Sequence, residues 1–173
     1  DSFAEDISTG FAIASIDATD PESTDITFSL SGDGSDLFSI DTEGNITLSG
    51  SLDYEIDTSY NITISATDGE NTTTTEIVIS VSDVNEAPTL SAVTSAVSFA
   101  EDITTGSQIA TFTAIDPEAA DMTYSLSGTG SELFSIDAAG NITLNSNFDF
   151  ETASSYSVTL TVTDGVHEVS EVI

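Results

Sequence analysis

The chain has 173 residues, with 31 Asp and Glu, no Lys, no Arg and one His, for a formal charge of −31. Without permanent side-chain cations, clustered carboxylates must stay apart, take up protons or bind metal. Phosphate recognition rests on basic side chains, so nucleic acid and an anionic membrane surface are excluded as partners.

Apolar residues make up 38% of the chain and are regularly spaced, which predicts a folded protein rather than a disordered acidic one. In chain order, Phe3-Ala4-Glu5-Asp6 is the first landmark, followed by the acidic pair of Asp20-Pro21-Glu22. Ile26, Phe28 and Leu30 alternate with Thr27 and Ser29, the period of a strand packed on one face. Phe38 to Leu48 reads as a hairpin, with Gly44 supplying the positive φ of its turn, and Asp41 reads as a turn cap. Leu52-Asp53-Tyr54-Glu55 carries a second acidic pair, and Tyr60, Ile62, Ile64 and Ala66 mark another strand. Asp68-Gly69 ends that strand, and Ile77, Ile79 and Val81 mark the next. Asp83-Val84-Asn85-Glu86-Ala87-Pro88 then reads as a short, stiff linker, because proline stops sheet pairing and holds the residue before it extended.

Residues 1–77 recur without a gap at 97–173, with more than half of the positions identical. Glu5 meets Glu101, Asp20 meets Asp116, Glu22 meets Glu118, Asp53 meets Asp149, Glu55 meets Glu151 and Asp68 meets Asp164. The chain is a tandem array, and these carboxylates belong to the repeating plan. The predicted fold is all-β, two tandem seven-stranded Greek-key β-sandwiches over residues 1–86 and 87–173. The first residues of repeat one are expected to be missing. The second copy stops at Ile173 partway through a strand, which reads as a piece of something longer. No apolar run reaches transmembrane length, and the absence of Cys leans towards a bacterial exported protein.

Asp-x-Glu in extended chain sends both carboxylates to one side, where oxygens can converge on a hard cation that takes six to eight of them. A Glu beside the first strand, Asp-Pro-Glu, Leu-Asp-x-Glu, Thr-Asp-Gly and an Asp-x-Asn linker, in register and present twice, resemble the calcium motifs of cadherin repeats of the bacterial type. The resemblance covers nearly all of the chain and implies an immunoglobulin-like sandwich with Ca2+ at the inter-repeat junction. It implies ligands Glu5, Asp53 and Glu55 from repeat one, and Asp83, the Val84 carbonyl, Asn85, Glu86 and the Ala87 carbonyl from the linker. Repeat two would contribute Asp116, Glu118 and Asp164. Up to three ions are implied. Two are favoured, because Glu118 stands for an Asp and Glu86-Ala87 for Asp-Asn.

On this reading the chain is a calcium-rigidified spacer of a large extracellular surface protein, such as an adhesin stalk, surface layer or filament. Its partners are neighbouring repeats of the same polypeptide, with identical chains in a fibre or layer as a further option. The alternative is an adhesive module that binds carbohydrate or self-associates, against which the absence of Trp counts. An enzyme is not expected. There is no Cys, Lys or Arg, and the single His, His167, aligns with Asn71 of the first copy.

Overall fold

A computed structural model describes residues 1–22, 25–92 and 98–173. The chain divides into two compact units, Asp1–Val84 and Asn85–Ile173. Among the described residues no helix is long and apolar enough to cross a membrane.

Among the described residues the first unit has seven strands: β1 Ser2–Ala4, β2 Ala12–Ser15, β3 Thr27–Gly32, β4 Phe38–Ile40, β5 Asn45–Leu48, β6 Ser59–Thr67 and β7 Thr72–Ser82. They form two sheets, β1-β7-β6-β3 and β2-β5-β4. β1 runs parallel to its neighbour, pairing Ser2–Ala4 with Ser80–Ser82 of β7. The alternation in the sequence sets which residues face inward. Tyr60, Ile62, Ile64, Ile79 and Val81 of one sheet join Ile13, Phe38, Ile46 and Leu48 of the other in a single buried cluster. Each such aliphatic side chain contributes about 1.5–3 kcal/mol on full burial. The opposite, outward positions of β3 are Thr and Ser, which accept water without cost.

The second unit has strands β8 Thr89–Ala92, β9 Gln108–Ile115, β10 Thr123–Ser127, β11 Phe134–Ile136, β12 Asn141–Leu144, β13 Thr159–Thr163 and β14 Glu168–Val172. The sheets are β8-β9-β12-β11 and β10-β13-β14. Seven strands in two facing sheets, in each unit, give the Greek-key sandwich expected from the sequence. Phe112, Ile142 and Leu160 centre the core, with exposures of 1%, 2% and 0%.

The two hairpins are built alike. Gly44 and Gly140 take φ of 81° and 77°. A Cβ on either would be driven into a backbone carbonyl, that of Ile16 or of Phe112, so the turn admits glycine alone. Asp41 closes its turn by accepting the Glu43 and Asn45 amides on Oδ1, each at 2.9 Å, and the Asn45 side-chain amide on Oδ2 at 2.8 Å. Asp137 does the same with Ala139 and Asn141. These bonds favour the ionised form, and both carboxyls lie below the ordinary value of 3.8, with the Asn45 or Asn141 side-chain amide as the largest cause.

The units differ at their N-terminal strands. β1 adds to the sheet of β7, whereas β8, which precedes the repeated stretch, pairs antiparallel with β9 in the other sheet. The counterpart of β1, residues 98–100, forms no strand.

Candidate metal centre

In the first unit the key residue is Glu5, which follows β1 and is only 7% exposed. Its amide bonds the Ser82 carbonyl at 3.2 Å, extending the β1–β7 pairing by one step. Oε2 accepts the Tyr54 amide at 2.6 Å and Oε1 the Val84 amide at 2.7 Å. One buried carboxylate thus ties the Asp53–Asp57 loop to the start of the linker.

A carboxylate oxygen each of Glu5, Glu55 and Asp83 lie within 4.8 Å of one another. No cationic side chain is available in this unit to balance them. Asp53 sits differently: Oδ1 accepts the Ile56 amide at 2.9 Å, so this oxygen caps its own loop. The Val84 amide is taken by Glu5.

In the second unit Asp116 is 7% exposed and its Oδ2 is buried with no hydrogen-bond donor. Oδ1 accepts the Ala120 amide at 3.2 Å, and the Asp116 carbonyl accepts the Ala119 amide at 3.1 Å. This turn holds Ala119 at φ 54°, in the left-handed region that costs a non-glycine residue roughly 1–2 kcal/mol. The strain is stored in the loop that presents Asp116 and Glu118.

Both Glu118 side-chain oxygens are buried without a donor.

Asp164 follows β13 and accepts the Asn85 side-chain amide on Oδ2 at 2.7 Å. Its Oδ1 accepts the His167 amide at 2.6 Å and the Val166 amide at 2.7 Å. The Asn85 amide first, then these backbone donors, hold the Asp164 carboxyl far below the carboxylate range. His167 Nδ1 stands 2.9 Å from the Asn85 side-chain nitrogen. Ala87 is exposed, next to the buried Pro88.

The sequence pattern did not reveal that His167 joins this network. The available signal was its alignment with Asn71, whose amide and side chain both bond Asp68 in the first unit. The counterpart site of Glu5 is looser: among the described residues Glu101 accepts the Phe150 amide, at 3.3 Å, and is exposed.

The donor set suits a hard divalent cation. It consists of carboxylate and amide oxygens, with no thiolate, and three buried oxygens of Asp116 and Glu118 lack any donor. Buried carboxylate oxygens without partners are costly unless a positive charge faces them.

The cadherin domain family matches residues 2–82 and, a second time, residues 95–172. Among solved structures, extracellular cadherin domains 3–6 of protocadherin gamma B2 match at 24% identity and a TM-score of 0.71, covering 99% of this chain and 43% of that one. Domains EC1–2 of human protocadherin-24 match at 26% identity and 0.67, covering 99% and 88%. EC1–4 of Drosophila N-cadherin match at 25% and 0.66, covering 99% and 45%. The chain therefore spans less than half the length of the first of these. No curated protein matches it by sequence.

Proposed function

The chain belongs to the cadherin domain family, and from that premise we propose that it is a non-catalytic spacer, stiffened by calcium shared between its two repeats. The observation that carries the reading is the pair of acidic clusters, one on each unit. On the first unit Glu5, Glu55 and Asp83 are gathered. On the second, Asp116 and Glu118 hold buried oxygens without donors. Glu5, Asp53, Glu55 and Asp83 would hold the ions from the first repeat, with the Val84 and Ala87 carbonyls, Asn85 and Glu86 from the linker. Asp116, Glu118 and Asp164 would complete the set from the second.

Bound calcium would supply the positive charge that the chain itself lacks. The residues do the rest. Glu5 holds the linker and the Asp53–Asp57 loop in one place through two backbone amides. The Ala119 turn fixes where Asp116 and Glu118 point. Asn85 orients Asp164 by donating to it. Without metal, like charges across the linker repel, and the repeats move independently. With it, both repeats share ligands and one orientation is favoured.

Extracellular modules of this kind bind calcium at about 10⁻⁴–10⁻³ M, which suits a spacer outside the cell, and we infer that it is part of a bacterial-type surface protein. The adhesive alternative draws support from the description of protocadherin gamma B7 EC3–6 as a cis-dimer, at 26% identity to this chain.

Calorimetric titration tests the proposal. Two to three calcium ions should bind the wild type, and an Asp116→Ala/Asp164→Ala variant should lose most of that binding. No binding at 10 mM calcium, a concentration roughly tenfold above the expected range, would overturn it.

A further inference from the structure

Three acceptors of the second unit converge on one amino group. The Asn85 side-chain nitrogen lies 3.0 Å from the Glu86 carbonyl oxygen, 2.7 Å from Asp164 Oδ2 and 2.9 Å from His167 Nδ1. A side-chain amide has two N–H groups, so three acceptors are one more than it can serve. Its nitrogen accepts nothing in return, so His167 Nδ1 presents its lone pair to the same point and the ring proton sits on Nε2. All of these residues belong to the unit Asn85–Ile173, and the cluster needs nothing from the first repeat.

The charge at this point is unbalanced. The Asp164 side chain is 0% exposed, whereas that of His167 is 42% exposed, so the ring stays open to solvent. The chain has no Lys or Arg to face the buried carboxylate. A buried carboxylate in a crowd of acceptors is costly unless a full positive charge enters. The Asn85 amino group, with only a partial positive charge, stands where a cation would.

The donor types select the cation. Calcium takes oxygen ligands, whereas an imidazole nitrogen suits zinc and its neighbours among the transition metals. Zinc binds nitrogen and oxygen at about 2.0–2.2 Å in a tetrahedron, which sets two of its ligands about 3.4 Å apart. His167 Nδ1 and Asp164 Oδ2 are 3.5 Å apart. Turning the Asn85 amide over withdraws the amino group and brings Oδ1 to the same side, so one residue both vacates the position and supplies a ligand. The first repeat lacks this chemistry. There Asn71 stands in place of His167, and its side-chain nitrogen donates to Asp68 Oδ2 at 3.3 Å. A donor at that position offers a metal no lone pair.

We propose that His167 makes this corner of the second unit a zinc site. Nδ1 and Asp164 Oδ2 are the chelating pair, and the Glu86 carbonyl and the Asn85 side-chain oxygen complete the four ligands. The site does not require calcium to be shared between the repeats. Asn85, Glu86 and Asp164 serve both ions, so zinc and calcium compete there.

The experiment titrates zinc chloride, and separately calcium chloride, into the whole 173-residue chain while nitrogen-15 NMR follows the single imidazole. One zinc ion should bind through the ring and shift Nδ1 strongly and Nε2 weakly, and calcium should shift Nδ1 far less. His167→Asn installs the residue of the first repeat. It should lower zinc affinity at least roughly tenfold and lower the ratio of zinc to calcium affinity with it. Ring signals unmoved at millimolar zinc, metal on Nε2, or equal zinc affinity in the variant would overturn the assignment. Zinc bound at Nδ1 without any calcium binding would instead overturn the calcium spacer and leave the zinc site standing.

Discussion

Replacing Glu5 separates two roles that one carboxylate plays. In Glu5→Ala the Tyr54 and Val84 amides lose acceptors at 2.6 and 2.7 Å. Hydrogen bonds to a charged group contribute about 1.5–3 kcal/mol each, so the loss is about 3–6 kcal/mol before relaxation. Opposing this, the charge of Glu5 no longer faces those of Glu55 and Asp83, whose oxygens lie within 4.8 Å. Both partners are exposed, so each pair costs about 1 kcal/mol in a water-like dielectric, and removing two returns about 2 kcal/mol. The metal-free Ala variant should therefore be destabilised by about 1–4 kcal/mol. Glu5→Gln keeps one acceptor and also removes the charge, so it should lie within about 1 kcal/mol of wild type. The assay is urea unfolding in a chelator, followed by NMR signals of Ile62 and Leu160 to report each unit separately, with amide exchange at Val84 as the local reading. Destabilisation should be confined to the first unit, and Val84 should lose protection in Glu5→Ala. If Gln were as damaging as Ala, or Ala were neutral, the division into hydrogen-bond anchor and charge cluster would be wrong.

Further predictions concern turns, core and acid. Gly140→Ala should destabilise the second unit more than Gly165→Ala, because both have positive φ but only at Gly140 does a Cβ meet a backbone oxygen; comparing unfolding temperatures checks this. Leu160→Ala, at 0% exposure, should cost about 2–5 kcal/mol in the second unit, read by chemical denaturation, while the first unit's transition stays in place. Asp41 and Asp137 have lowered carboxyls, so their contribution to stability is complete above the ordinary value of 3.8 and is lost as pH falls through the folded value below it. Carboxyl NMR titration should place both midpoints below 3.8, and Asp137→Asn should flatten the acid limb of stability in the second unit.

Much of the fold was legible because period-two alternation leaves little choice. Ile62 and Ile64, or Leu160 and Val162, can face inward only together, and Gly44 and Gly140 mark turns no other residue fits. Repetition made the acids visible, since Glu5, Asp116 and Asp164 recur at matching places. Pattern could not show what each acid does locally. Glu5 is anchored by amides from Tyr54 and Val84, far apart in sequence, and Asp53 turns one oxygen to its own loop. Ala119 adopts a left-handed conformation in a stretch with no glycine, because the Asp116 turn imposes it.

Nitrogen-15 relaxation of the two repeats, with calcium and with chelator, tests the central claim most directly. The account predicts that in calcium both repeats report one shared, strongly anisotropic tumbling, and that in chelator each tumbles faster and by itself. Identical relaxation in the two conditions, with calcium binding confirmed in the same sample, would contradict the account.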